Sequence, residues 1–269
     1  MSRDEDFIAE RERQLREAMA IRRDTYNEVV RLLRQAESDI IALLQSSPTE
    51  YQAFQLPRLL RQIRAALADI GPGASDTLRR AADASWRAGI SLVDAPLAAG
   101  GVRVAAMLPA LSLEQLAAMR NFMTDRIRDI PIKLANEIAD HLALTIIGSQ
   151  SVGDTTATIA RLFTTRGRSR ALTIVRTELG RVYATATNQR LAQASTILPG
   201  LRKQWRRSGK IHSRPEHDGI DGQLRDIGSP FRLTNGIELQ HPRDPAAPLS
   251  ETINCGCEEL PHMDHWRTS

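Results

Sequence analysis

The sequence predicts a mostly α-helical protein that ends in a small α+β domain. Hydrophobic residues make up 42% of the 269 residues but aromatic residues only 4%, and a core of mainly Ala, Leu and Ile favours closely packed helices. Helical spacing continues to about residue 194. After Pro199 it gives way to short apolar pieces among Gly, Pro, Asp and Asn, which is typical of small strands and turns. The length exceeds that of a usual domain, so we expect two.

The N-terminal region, 1–150, is predicted to be an elongated set of helices. Residues 4–46 carry apolar side chains in steps of three, four or seven with charges between them, which predicts one long amphipathic helix. Gly71-Pro72-Gly73 and Pro96 are expected to end helices, and Ser112-Leu-Glu-Gln115 has the spacing of a capping box. The further helices are therefore predicted over 56–70, 75–93, 112–130 and 131–147.

Six small and polar residues, 148–153, predict the boundary of a C-terminal domain, 151–269. Asp154 or Thr155 is expected to cap a short helix that ends at Phe163. A basic loop over 164–169 then leads to a helix over 170–194. The remainder is predicted to be a compact unit of small strands and turns.

The residues that could carry chemistry are concentrated near the C-terminus. Both cysteines, Cys255 and Cys257, and five of the six histidines follow residue 200. One intervening glycine makes a disulfide between the cysteines strained, so reduced thiols, buried or metal-bound, are expected. With His217 and His212 they offer two nitrogens and two sulfurs, which suits tetrahedral zinc. The spacing is not a standard one, His241 competes with His212 for the fourth position, and the alternative is that both cysteines are small core residues.

The net charge of +4 is unevenly distributed. Between Arg161 and Arg214 there are thirteen basic residues against one acid, Glu178, a density that attracts polyanions such as DNA or an acidic protein surface. The alternative is a solvated face offset by acidic neighbours in an oligomer. Few aromatic residues interleave, so DNA contact would be electrostatic and sequence-tolerant. The predicted binding surface consists of Arg166, Arg168, Arg170, Arg202, Lys203, Arg206, Arg207 and Lys210.

An ordered set of residues over about 151–260 resembles the phage Mu F-like minor head protein domain, a family of head morphogenesis proteins of tailed bacteriophages and prophages. The set includes Arg214-Pro-Glu-His217, Pro242-Arg-Asp-Pro245 and Ile253-Asn-Cys-Gly-Cys257. His212 stands where the family often has Arg, and His241 where an aromatic residue is usual. We expect architectural roles for the motif residues Arg176, Glu178, Asn188, Trp205, Arg214, His217, Asp221, Gly222, Asp244 and Asn254.

The resemblance implies a minor capsid protein that acts in procapsid assembly at the portal vertex. Its partners would be the portal protein and other head proteins, and it would contact double-stranded DNA non-specifically. It would be located in the virion, in the capsid interior or at the portal vertex, after assembly in the host cytoplasm. The N-terminal helices would dock on the portal or the capsid.

Two further classes of function remain as alternatives. A metal-dependent nucleic-acid-processing enzyme would use His217 as general base, Asp221 to orient it and Arg214 to hold a phosphate. The sequence contains no second carboxylate cluster, P-loop or nucleophile elbow, so we expect no enzymatic activity. A free, non-specific DNA-binding protein is the other alternative. With no long apolar run and an acidic N-terminus, we expect a soluble protein made in the cytoplasm.

Overall fold

The computed structural model describes residues 2–46, 55–211 and 213–264. It is 69% helical, with small antiparallel sheets confined to the C-terminal part. The predicted fold class, mostly α with a small α+β C-terminal region, is therefore confirmed.

Nine α-helices follow one another along the described residues. The segment from residue 152 to residue 195 is interrupted by two π-helical turns, Phe163–Arg168 and Val175–Leu179. The helices are α1 (Arg3–Ser46), α2 (Leu56–Ala68), α3 (Ile70–Ala99), α4 (Glu114–Ile146), α5 (Val152–Leu162), α6 (Ser169–Ile174), α7 (Gly180–Ser195), α8 (Pro215–Asp218) and α9 (Leu249–Thr252).

Three predicted helix ends are wrong, and each involves a proline. Helix α3 begins at Ile70, so Pro72 lies in its first turn, where the missing backbone N–H has no helical acceptor to lose. Pro96 falls in the last turn of the same helix, and Pro131 is accommodated inside the continuous α4. The predicted basic loop over 164–169 is instead mostly the first π-helical turn. Helix α5 is capped by Ser151, whose Oγ accepts from the backbone N–H of Asp154.

In the part of the chain that the structure describes, the strands form two small antiparallel sheets. In the larger sheet, β1 (Leu201–Arg206) is central and pairs with β2 (Leu224–Asp226) and β5 (Glu258–Met263). The smaller sheet pairs β3 (Phe231–Arg232) with β4 (Glu238–Leu239). Alternate residues of β1 are buried, which is the period-two pattern of a sheet with one face on a core.

The chain folds into two compact units. The first unit contains residues 1–23, 81–119 and 176–269, and the second contains 24–80 and 120–175. The boundaries between the units fall inside α1, α3 and α4, and at the second π-helical turn. The predicted division into a helical docking region, 1–150, and a C-terminal domain, 151–269, concerns function and stays a prediction.

The described residues of the first unit include three clusters of buried apolar side chains. One joins Phe7, Val93 and Leu97 to α7, and another joins Leu15 and Leu92 to Tyr183 and Leu260. The third lies within the strand-and-turn region and consists of Trp205, Ile220, Phe231, Leu233, Leu239, Cys255 and Cys257. In the second unit, Gly167 of the π-helical turn lies where an added Cβ would contact Leu33 and Leu134 at 3.4 and 3.5 Å.

Among the described residues, no helix has the length and apolar character needed to span a membrane.

Candidate metal centre

Three potential metal ligands meet in the third apolar cluster of the first unit. His217 lies on the short helix α8, and the two cysteines lie between α9 and β5. Nδ1 of His217 is 3.6 Å from Sγ of Cys255 and 3.6 Å from Sγ of Cys257. All three residues are buried, and their ligand atoms lie within 4.8 Å of one another.

These distances match the edges of a tetrahedral metal site. Zinc bonds of about 2.3 Å to sulfur and about 2.0 Å to nitrogen, at a tetrahedral angle, place the two ligand atoms about 3.5 Å apart. One nitrogen and two sulfurs are also a ligand set that zinc prefers. The cluster could therefore hold a metal ion, with three of four tetrahedral positions supplied by this part of the chain.

Glu251 of helix α9 fixes the orientation of the His217 ring. Its Oε2 lies 2.9 Å from Nε2 of His217, so the carboxylate accepts a hydrogen bond from the nitrogen that faces away from the thiols. With Nε2 carrying a proton toward the carboxylate, Nδ1 is the ring nitrogen that can bind a metal once the proton it shares with the thiols is displaced. Asn235 Nδ2 donates to the other carboxylate oxygen at 3.4 Å. Carboxylate–histidine–metal arrangements of this kind are common around zinc.

Aromatic side chains hold the backbone of His217 and exclude water from one side of the cluster. The indole N–H of Trp205 donates to the carbonyl oxygen of His217 at 3.1 Å. Its ring packs edge-to-face on His217 and on Phe231, with centroids 5.4 and 5.2 Å apart. The hydrogen bond satisfies the polar N–H of this fully buried tryptophan, and the ring contacts fill the space around its apolar faces.

A buried arginine supports the cysteine segment. Arg243 has no solvent-exposed side-chain surface; it donates to the carbonyl oxygen of Cys255 at 2.9 Å and to Glu258 Oε2 at 2.6 Å. The guanidinium fits against α7 because position 180 is glycine, where an added Cβ would lie 2.8 Å from Arg243 Nε. A second cation, Lys210, donates to the carbonyl oxygen of Asn254 at 2.5 Å. Both cations favour negative charge on the thiols.

The two thiols are electrostatically different. The pKa of Cys255 is held well below its ordinary value, although burial alone would raise it. The largest cause is the hydrogen bond with Cys257, and the hydrogen bond with His217 and the charge of Arg243 act in the same direction. The hydrogen bond with Cys255 and burial raise the pKa of Cys257. Burial lowers the pKa of His217, but the contacts with Cys255 and Glu251 outweigh it and leave that pKa raised. The thiolate and imidazole can exchange their shared proton for a metal cation.

The motif residues lie around this cluster and connect it to α7 and the sheet. The backbone N–H of Asn254, which has a left-handed φ of 55°, donates to Thr177 Oγ1 at 3.0 Å. Arg214 donates to the carbonyl oxygen of Ile253 at 2.8 Å. Asn188 donates to Glu259 at 3.1 Å, and Asp244 accepts from the backbone N–H of Gln240 at 2.8 Å.

Other motif residues serve elsewhere in the first unit. Glu178 pairs with Arg181, three residues further along the same helical segment, at 2.5 Å, and Arg176 is exposed. Gly222 has a φ of 80°, a backbone conformation that disfavours other residues.

Of the two residues predicted to compete for the fourth ligand position, the structure describes His241. His212 lies outside the described residues. His241 is buried away from the cluster, with Nδ1 3.0 Å from the carbonyl oxygen of Pro242.

The residues of the enzyme alternative are not arranged as it required. Asp221 does not orient His217; its carboxylate accepts from the backbone N–H of Arg207 at 2.9 Å. Glu251 takes the orienting position instead. Arg214, expected to hold a phosphate, is bound to the backbone of Ile253.

The predicted basic surface is divided between the two units, and many of its charges are paired. In the second unit, Arg166 and Arg168 pair with Glu137 and Glu37, while Arg170 is exposed. In the first unit, Lys203 was predicted on the surface but is completely buried, because it belongs to the inward face of β1. The remaining pairs are Arg202 with Asp226 and Asp264, Arg206 with Glu12, and Arg207 with Asp221.

The comparisons with known proteins give one match. No family model and no solved structure matches the chain. The chain is 29% identical over 135 residues to the NAD(+)–arginine ADP-ribosyltransferase EFV of Enterococcus faecalis. The match covers 49% of this chain and 27% of the relative, so the chain spans about a quarter of the length of that protein.

This match contradicts our expectation that the chain has no enzymatic activity, because the relative carries the name of an enzyme. The motifs and residue spacings of the sequence do not indicate a transferase.

Proposed function

We propose that the chain is a head morphogenesis protein of a tailed phage or prophage, and that its first unit is an assembly module organised around a metal centre. The observation that supports this is the convergence of the motif residues. Residues far apart in sequence, such as Thr177 and Asn254 or His217 and Glu251, contact one another around one buried cluster. The portal protein, other head proteins and packaged duplex DNA are its proposed partners.

Zinc is the proposed metal, held by Nδ1 of His217 and Sγ of Cys255 and Cys257. The soft thiolate ligands and the tetrahedral distances support zinc over magnesium or calcium, which prefer oxygen ligands. When bound, the cation supplies a fixed link between α8 and the segment before β5. Such links add to folding stability because the unfolded chain has no preformed site.

Deleting the gene from the phage or prophage that encodes it tests the assembly role. We expect fewer DNA-filled heads in electron micrographs of lysates, and rescue by a plasmid copy of the wild-type gene. His217→Gln should fail to rescue, whereas His262→Gln, a change in a half-exposed histidine beside Asp264, should rescue fully. Normal heads from the deletion strain would contradict the proposal.

Transfer of ADP-ribose from NAD⁺ to arginine is the second candidate, supported by the match to the E. faecalis transferase. Its test is incubation of the purified chain with biotin-labelled NAD⁺ and an arginine-rich acceptor. Labelled acceptor, absent with heat-inactivated chain, supports this candidate. No labelling at any chain concentration removes it for this chain.

A further inference from the structure

Three arginines line one open cavity in the strand region of the first unit. Arg202 lies on β1, Arg225 on β2 and Arg232 on β3, and the cavity has a volume of about 370 Å³. Ser229, in the turn between β2 and β3, also lines it. The three potential metal ligands are not among the lining residues, so the cavity is separate from the metal centre.

Most hydrogen-bond donors around this cavity are unused. The guanidinium groups of Arg225 and Arg232 and the hydroxyl of Ser229 have no hydrogen-bond or ion-pair partner among the described residues. Nε of Arg202 is buried and also lacks a hydrogen-bond acceptor there, since Oδ1 of Asp226 is 3.6 Å away. Cations that converge without acceptors repel one another, and a bound anion lowers that energy.

Two acids also line the cavity, but neither neutralises Arg225 or Arg232. The side chain of Asp226 is 85% exposed and pairs with Arg202. Glu238 lies opposite Arg232 in the β3–β4 pair, yet its carboxylate forms no ion pair with any described residue. Because both acids are exposed, water and salt screen their charges. The cavity therefore keeps an excess of charged donors.

We propose that the cavity lined by Arg202, Arg225, Arg232 and Ser229 binds a phosphate group. A guanidinium presents paired N–H donors that match two oxygens of a phosphate or a carboxylate. One such pair satisfies a carboxylate, whereas a phosphate has further oxygens that accept from other directions. Arginines on three different strands suit the phosphate. Two sources share this chemistry, a free phosphate compound and the backbone of a nucleic acid, and binding requires neither the metal centre nor the assembly role.

Isothermal titration calorimetry of the full chain with inorganic phosphate tests the site, with chloride used to keep the ionic strength constant. We expect saturable binding that is at least about 10-fold weaker in Arg225→Gln/Arg232→Gln, because the substitutions remove charged hydrogen bonds. The control, Arg87→Gln/Arg103→Gln, removes the same charge from exposed arginines of the first unit that do not line the cavity, and should bind phosphate as the wild type does. Circular dichroism checks the fold of each variant, and the single substitutions replace a double variant that is unfolded.

A fluorescent DNA duplex distinguishes the two sources of the phosphate group. If the source is a nucleic-acid backbone, fluorescence anisotropy should show weaker duplex binding in Arg225→Gln/Arg232→Gln than in the control variant, and inorganic phosphate should displace the duplex from the wild type. If the source is a free compound, the two variants should bind the duplex equally, and their affinities for inorganic phosphate alone should differ. The proposal is overturned if the wild type binds neither ligand saturably, or if the two variants have equal affinities for both.

Discussion

Glu251 holds the ring of His217, a ligand of the proposed metal site, in one orientation. The carboxylate 2.9 Å from Nε2 selects the ring nitrogen that faces the thiols. Without it, the imidazole could rotate or carry its proton on the wrong nitrogen. At the proposed metal site the outer hydrogen bond would therefore add to metal affinity, although Glu251 itself would not bind the metal.

Glu251→Gln should weaken zinc binding by about 10- to 100-fold, which is the usual effect of removing such a partner. The matched control is Asp221→Asn, because Asp221 is also near in sequence but contacts Arg207. Competition with a chromogenic chelator measures both affinities. Equal affinities for the two variants would show that Glu251 has no orienting role.

His241 makes the stability of the first unit depend on pH. Burial lowers its pKa, so the folded chain binds a proton less readily there than the unfolded chain. Its contribution to stability is complete above the unfolded pKa of about 6.5 and is lost as the pH falls toward the lower folded pKa.

His241→Phe should therefore lose less stability than the wild type between about pH 7.5 and pH 5.5. Urea denaturation at the two pH values measures the loss, and the difference between the two proteins cancels the contributions of the metal and the other histidines. An identical loss in both proteins would refute the assignment to His241.

At the scale of elements, helices α3 and α7 approach closely at Gly89. An added Cβ there would lie 2.5 Å from the carbonyl oxygen of Tyr183 and 2.8 Å from Cβ of Ala186. Thr187 Oγ1 also donates to the carbonyl oxygen of Gly89 at 3.1 Å. The glycine is thus required by packing and not by the helix, which would prefer another residue.

Gly89→Ala should lower the free energy of unfolding by about 1 to 3 kcal/mol, the usual cost of overpacking. Gly153→Ala, in helix α5, is the control, since an added Cβ there meets only Ser151 Oγ at 3.9 Å. That variant should be as stable as the wild type or more stable by up to about 1 kcal/mol. A tolerated Gly89→Ala would argue against the close helix contact.

The same elements show which features the sequence could predict. The period of apolar residues located α1 and α2 almost to the residue. Proline, however, is a weak stop in a first turn, as at Pro72, or in a last turn, as at Pro96. His217, Cys255 and Cys257 could be proposed together because their chemistry is distinctive. The spacing of 34 residues between Glu251 and His217 gave no sign that the two side chains contact each other. The charge of Lys203 likewise gave no sign that its side chain lies on the buried face of β1.

For the whole molecule, the pairing of basic residues with acids limits how strongly it can attract DNA. Arg206 and Arg207 of the first unit each have a carboxylate partner. Nucleic acid must compete with these ion pairs, and salt screens the interaction further.

If the chain contacts packaged DNA, its affinity for duplex DNA should be non-specific and should fall steeply between about 50 and 200 mM salt. Fluorescence anisotropy with two unrelated duplexes measures both properties. A salt-independent affinity, or no binding at the lower salt concentration, would remove DNA from the proposed partners.

We propose that a metal ion held by His217, Cys255 and Cys257 organises the first unit. The most direct measurement is the metal content of the purified chain by elemental analysis, beside Cys257→Ala prepared in the same way. We predict about one zinc ion per wild-type chain and a large loss in the variant. A folded wild-type chain without metal after growth and purification with zinc, or equal zinc in both proteins, would contradict the claim.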